Sequence, residues 1–359
     1  MCLIAFFDIL LPMNRGFWDN LELPIIGLAP MDGVTDAAFR YMVCKYGKPS
    51  LVMTEFTNVE GLARGATKML RAFEYHDMER PVVAQIYGVE VDSFYKCSVM
   101  LCEMGFDGID INMGCPANAV ARHGSGAGLI RTPELAREII KACKKGVQDW
   151  SEGITMEEAG VHKNIILEAR KMTEGRNVER KMIPVSVKTR IGYDKIVTEE
   201  WIQNLLEENP ANITLHGRTL KQMYMGQSNW DEIAKAAAIC KGTGVSLIGN
   251  GDVSSMEDAK NKCEQYGVDG VLVGRATFGT PWFFSDKEPD LKERLEIMIE
   301  HAKYFESLGD LYFPHIRKHL GWYCKGFDGA KELRKQLVIA NDSSEVCSAV
   351  QDFQNSHPF

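Results

Sequence analysis

The chain has 359 residues, room for one large domain and a smaller one, and its 45% hydrophobic content is enough to fill a sizeable core. With 49 acidic against 41 basic side chains and a net charge of −8, no global field draws it to nucleic acid or an anionic membrane, so any RNA-binding surface has to be local. Its ten cysteines lack paired spacings and any Cys-x-x-Cys zinc pattern, which excludes a disulfide scaffold and reads as reduced core thiols in a cytoplasmic protein without a metal site.

Residues 1–12, MCLIAFFDILLP, are apolar but too short to span a membrane, contain Asp8, and lack a basic leader or small-residue cleavage site. They read as a translated upstream segment before Met13, within an N-terminal extension taken to residue 15. Eight short apolar, β-branched runs follow in order: PIIGLA (24–29), LVMTEF (51–56), PVVAQIYG (81–88), GIDINM (108–113), PVSVKTRI (184–191), NITLHG (212–217), VSLIGNG (245–251) and GVLVGR (270–275). Strands alternating with helical stretches argue for a parallel sheet buried on both faces. A count of eight argues for closure into a (β/α)₈ barrel of the α/β class, with a doubly wound open sheet as the alternative.

Among the connectors, 133–145 is predicted as a surface helix with Thr132 as N-cap, Pro133 in its first turn, and Leu135, Ile139, Ile140 and Cys143 on its buried face. A second helix over 254–265 starts at Ser254 or Ser255 as cap. Residues 146–183 far exceed a usual barrel loop of about two to six residues. Their balanced charge reads as an inserted helix or helical hairpin on the surface. From about 286 to 359 the period is purely helical, which puts a boundary near Ser285 between a barrel of residues 16–285 and a small helical domain. Within 314–336, six Lys or Arg face two acids and interleave with Trp322, Tyr323 and Phe327. That pattern suits either contact with phosphates and stacked bases or a solvated face over an aromatic core.

Barrels handle ligands at the C-terminal ends of their strands. The seventh and eighth ends, GNGD (249–252) and VGRA (273–276), combine glycines with Arg275 as a phosphate cradle. Lys188 in the fifth strand is costly to bury unless it faces a ligand or ion partner, and His216 ends the sixth. Gln85 in the third strand is an amide that both donates and accepts. In DINMGCP (110–116), Gly114 and Pro116 frame a sharp turn expected to hold Cys115 exposed over the mouth. No His–Asp pairing suggests a nucleophile, so a thiol acting as proton donor is preferred.

LAPMDGVTDAAFR (28–40), the Glu55 strand, AQIYG (84–88), DINMGCP, VKTRIG (187–192), LHGRTLKQMYMG (215–226), GNGD and VGR stand in the order found in tRNA-dihydrouridine synthases. Over about residues 16–336 the chain resembles that family. The resemblance implies FMN-dependent, NADPH- or NADH-driven reduction of the C5–C6 double bond of tRNA uridines by a monomer, with the helical domain gripping the tRNA and no membrane or metal involved. It places Pro30, Met31, Asp32, Gln85, Lys188 and His216 beside FMN, and Asn250, Gly251, Asp252, Gly274 and Arg275 at its phosphate. It makes Cys115 the catalytic acid, sets Asn112 near the uracil, and lines the substrate channel with Arg218 and Tyr224. Two departures stand out: the insert is longer than the common family pattern, and Asp32 replaces a frequently small residue. The rivals are an FMN barrel acting on a small molecule such as a free dihydropyrimidine, and a non-catalytic RNA-binding barrel.

Overall fold

The computed structural model describes residues 15–223, 225–309 and 311–357, apart from the side chains of 118 and 119. The expected extension over 1–15, Arg15 aside, lies outside the described residues, as does Tyr224. All eight strands are present: β1 (Ile25–Leu28), β2 (Val52–Met53), β3 (Val82–Tyr87), β4 (Gly108–Met113), β5 (Val185–Arg190), β6 (Asn212–His216), β7 (Ser246–Asn250) and β8 (Gly270–Val273). A further two-residue strand, Thr57–Asn58, prolongs the second stave and pairs with Ile86 and Tyr87. Every pairing is parallel, and β1 joins β8 from Ile25↔Gly270 to Leu28↔Val273. The sheet is therefore closed, which disposes of the open alternative.

Alternation along each strand sorts side chains into two populations. Ala84, Ile86, Ile109, Ile111, Val187 and Ile213 join the large apolar cluster under the helices. Ile25, Leu51, Val83, Ala211, Ile248 and Leu272 form an inner cluster with Trp18, filling the barrel near the strands' N-terminal ends. Toward the mouth the buried inward residues are polar, with Gln85, Asp110, Thr214 and Asn250 enclosed, and Ser186, Asn212 and Ser246 bring buried polar groups to the starts of β5, β6 and β7 as well.

The predicted helix at 133 runs on to Ser151 because Gly146, Val147 and Trp150 continue its buried stripe. A Cβ at Gly146 would lie 2.6 Å from the Tyr95 carbonyl, so this helix sits tightly on its neighbour Val91–Glu103. Thr132 holds the N-cap position as expected, with Pro133 in the first turn, but its side chain makes no capping bond. The second cap is Ser255, whose hydroxyl accepts from Asp258 N at 3.0 Å. Beyond Ser151 the insert contributes one helix, Lys163–Met172, rather than a hairpin among the described residues; Ile165, Ile166 and Ala169 are buried. Arg176 fastens its return, donating to the Tyr75 carbonyl at 2.7 Å with the guanidinium 3.9 Å from the Tyr75 ring centre. The insert thus covers the barrel's outer wall.

The helices Leu291–Ser307, Arg317–Tyr323, Ala330–Leu337 and Ser343–Ser356 pack around Leu295, Met298, Phe305, Leu320, Leu337 and Val350, and this core also takes Ala38 and Met42 of the first barrel helix, Ala37–Tyr46. The aromatics of 314–336 mostly turn inward. Tyr323 is buried with its hydroxyl 3.2 Å from His301 Nδ1, and Phe327 packs on Phe353. Trp322 stacks on Phe278 of the barrel. No helix among the described residues is long and apolar enough to cross a membrane.

Candidate active site

The floor of the barrel mouth is a network of inward side chains. Gln85 Nε2 donates to Asp110 Oδ2 at 2.7 Å, and its Oε1 accepts from Asn112 Nδ2 at 3.0 Å. Ser186 Oγ donates to Asp110 Oδ1 at 3.0 Å. Burial raises Asp110 to about 6, against the opposing hydrogen bonds from Gln85 and Ser186 and the charge of Lys188. Gln85, expected at a cofactor edge, is fully enclosed and braced by its neighbours on either side.

Cys115 stands directly above this floor. Asn112 Oδ1 accepts from Gly114 N at 3.0 Å and Cys115 N at 2.8 Å, while Arg190 Nε donates to the Gly114 carbonyl at 2.6 Å. The Cys115 carbonyl accepts from Ala127 N at 3.2 Å. The turn is tied on both sides by these bonds, but the cysteine is not exposed as expected: folding of residues 125–130 over the turn leaves it 8% accessible. Burial pushes its thiol up, helped by Asp32, while the Ala117 backbone, Arg190 and Lys188 act the other way. The protonated form is therefore held at neutral pH, with cations near enough to ease loss of the proton.

Lys188 Nζ donates to Asn250 Oδ1 at 3.1 Å, and Asn250 is oriented by its own 2.8 Å bond to the Leu272 carbonyl. Burial and Arg190 lower Lys188 to about 8, against the pull of Asp110 and Cys115. Burial, Arg190, Lys188, Arg218 and Arg275 drive His216 well below its ordinary value, so it stays neutral. Its Nε2 lies 3.4 Å from Arg218 Nη1, a group that can only donate; this assigns the ring proton to Nδ1.

Beside His216, Asp252 organises two arginines. Its Oδ2 accepts from Arg218 Nη2 at 2.6 Å and Ser228 N at 2.8 Å, and its Oδ1 from Arg275 Nη2 at 2.8 Å. With both oxygens occupied, the carboxylate acts by aiming Arg275, not by meeting an anion itself. Arg218 is 2% exposed and its Nε has no partner among the described residues. Gly251, at φ +124°, could not carry a Cβ, which would fall 2.3 Å from Ser228 Oγ. Met31 closes the corner, its sulfur 3.3 Å from where a Gly274 Cβ would stand; Pro30 is half-buried beside it and Asp32 exposed.

Three residues escaped the sequence reading although they lie inside its motifs: Glu55, Tyr87 and Arg190. Each stands two positions beyond an inward residue, Met53, Gln85 or Lys188, so strand alternation already aims it at the mouth. Burial, with Asp36 adding to it, raises Glu55 to about 7. Burial raises Tyr87 too, with Cys115 and Asp32 contributing.

A closed barrel whose C-terminal mouth holds a buried thiol, a neutral histidine and an arginine-lined corner has the layout of a (β/α)₈ enzyme. The chain belongs to the dihydrouridine synthase family, whose sequence profile, described as Dihydrouridine synthase (Dus), matches residues 27–152 and 154–357. It is 33% identical over 356 residues to the "Probable tRNA-dihydrouridine synthase 2" of Bacillus subtilis (strain 168), covering 96% of this chain and 98% of that one. It is 33% identical over 353 residues to the "Probable tRNA-dihydrouridine synthase" of Staphylococcus aureus (strain MRSA252), covering 95% and 97%. Among solved structures, a DHODH from Eimeria tenella with ferulenol is similar at a TM-score of 0.46 and 14% identity, covering 83% of this chain and 87% of that one. A variant of NCR from Zymomonas mobilis is similar at 0.41 and 16%, covering 75% and 90%.

Proposed function

We propose that this chain is an FMN-dependent tRNA-dihydrouridine synthase, reducing the C5–C6 double bond of uridines in tRNA. The observation that carries the reading is the juxtaposition of a buried, protonated Cys115 with Lys188, Arg190 and neutral His216 at one barrel mouth. The residues fit the cofactor. Arg275, aimed by Asp252, together with Asn250 and the glycines 251 and 274, suits its phosphate; the orphaned Nε of buried Arg218 marks a polar demand at the same corner. Lys188, with Pro30, Met31 and Asp32 of the β1 loop, suits a ring system that takes up negative charge, and Gln85 supports it from beneath by holding Asp110 and Asn112. When bound, FMN supplies the hydride equivalent, drawn from NADPH or NADH.

The chain's own part is orientation and proton delivery. Cys115 Sγ holds a proton against loss to solvent because burial disfavours the thiolate. It passes that proton to C5 of the uracil as the new C–H bond forms. The thiolate left behind is stabilised by Lys188 and Arg190 until water returns a proton after product release. Asn112, bonded to both Gly114 N and Cys115 N and itself held by Gln85, fixes the donor where the base would sit. A base inside folded tRNA reaches such a mouth only when turned out of its stack, so residues 286–359 are proposed to grip the surrounding RNA while 16–285 perform the chemistry in the cytoplasm as a monomer.

Purified protein is expected to be yellow with a flavin spectrum, and to form dihydrouridine in tRNA with NADPH or NADH. Colourless protein that fails to take up FMN would remove the cofactor, and equal activity on free uracil would replace tRNA by a small-molecule substrate.

A further inference from the structure

We infer that Trp322 is a positioning residue for Arg275, and through it for the phosphate of the bound cofactor; the inference rests on the FMN reading above. Arg275 opens a one-turn 3₁₀ helix, Arg275–Thr277, whose C-cap is Phe278. The Arg275 side chain is 55% exposed, so its aim depends on how firmly this turn is held. Part of the hold is local: Thr277 Oγ1 donates to the Gly274 carbonyl at 2.8 Å, and Thr280 Oγ1 to that of Ala276 at 2.9 Å.

The rest comes from the C-terminal helices. The Trp322 and Phe278 rings stack at 4.1 Å with planes 9° apart. Lys325 Nζ donates to the Phe278 carbonyl at 2.8 Å. Gly279 follows at φ +70°, where a Cβ would fall 2.1 Å from the Trp322 carbonyl oxygen, so the loop backbone lies directly against the end of helix Arg317–Tyr323. Trp322 is itself steadied by His319, 4.9 Å away ring to ring. One turn earlier on the same helix, Lys318 reaches over the β1 loop, Nζ standing 3.4 Å from the place of a Gly33 Cβ.

β1 and β8 are paired neighbours, so one short helix clasps the two loops that frame the phosphate corner. Trp322 is half-buried and lies outside the buried apolar core of the helical region, so its truncation should spare the fold. A residue serving the fold alone would have no preference between FMN and riboflavin, which lacks the phosphate.

The test titrates the full-length, flavin-stripped protein with FMN and with riboflavin, following quenching of flavin fluorescence. Trp322→Ala should weaken FMN binding by up to about tenfold and leave riboflavin within about twofold, while Trp322→Phe, which keeps a stack, restores most of the FMN affinity. Should Trp322→Ala melt before it can be titrated, Lys325→Met removes the bond to the Phe278 carbonyl from outside and should weaken FMN about threefold with the same selectivity. Unchanged FMN affinity in the variant that is titrated, or an equal loss for riboflavin, overturns the inference. Wild-type protein that binds no flavin overturns the cofactor reading first, and this inference with it.

Discussion

The two ends of the barrel are built from the same strands and the same inward positions, yet they obey opposite rules. At the N-terminal end Ile25, Leu51, Val83, Ile248 and Leu272 pack with Trp18 into an apolar plug, and the polar side chains at that end, Asn212 and Ser246, satisfy one another. Two or four residues further along, the inward positions carry Glu55, Gln85, Asp110, Asn112, Lys188, Arg190 and His216. Their burial raises carboxyls and the thiol and lowers the amine and imidazole. Holding those groups in unfavourable protonation states costs stability, and the apolar end supplies it. Stability and chemistry are thus separated by less than the length of one strand.

That separation can be broken from either end. Cys115→Ala has the largest expected effect: dihydrouridine formation should fall about 10² to 10⁴-fold, with flavin binding and its reduction by NADPH unchanged. Full retained activity would take the proton donor's role from Cys115. Ile248→Ala, at a fully buried site of the plug, should cost about 2 to 5 kcal/mol in denaturant unfolding while the folded fraction keeps its activity. A variant that unfolds normally but loses turnover would mean that plug and mouth are not independent.

A second contrast lies within 314–336, where sequence left two readings of a basic, aromatic stretch side by side. The structure divides them by residue. Arg317 is committed to the carbonyls of Ile339 and Ala340, and Lys325 to that of Phe278, whereas Lys331, Arg334 and Lys335 are exposed on the helix Ala330–Leu337. Changing those three to Glu should flatten the salt dependence of tRNA binding by about one unit of log–log slope per cation, roughly a sixtyfold difference between about 50 and 200 mM salt. An unchanged slope would move the RNA surface elsewhere.

How much of this was legible follows from the range of the interactions involved. The eight strands were readable because β-branched runs and alternation are local, and Lys188 and His216 were conspicuous because a polar group in such a run needs a reason. Glu55, Tyr87 and Arg190 obey the same alternation and were within reach of simple counting. The burial of Cys115 was not, since it depends on residues 125–130 crossing back over the turn. Nor was the role of Asp252, whose carboxylate meets arginines 34 positions earlier and 23 later in the chain. Thr132 looked like a cap by residue type, but its φ of −132° and ψ of 67° give a backbone that makes no such bond.

The junction between barrel and helices offers the smallest and most specific test. His319 is 1% exposed, lies between Phe39, His301 and Trp322, and among the described residues has no hydrogen-bond partner for either ring nitrogen. Burial, with His301 and Lys318 adding to it, lowers its pKa well below the ordinary value. A histidine that cannot take up a proton when folded, but does so near pH 6.5 when unfolded, draws the equilibrium toward the unfolded chain as pH falls below that point. Its contribution is flat above about pH 7 and grows more unfavourable from there down to the low folded pKa. His319→Phe keeps an aromatic ring and removes both orphaned nitrogens, so it should be at least as stable as wild type at pH 7. Between about pH 7 and 5.5 it should lose roughly 1 kcal/mol less than wild type in denaturant unfolding. His301, lowered by burial to about 3, remains in both proteins and sets the acid sensitivity they share. Parallel pH curves for the two would mean that His319 is charged in the folded protein, and that the junction between barrel and helices admits water.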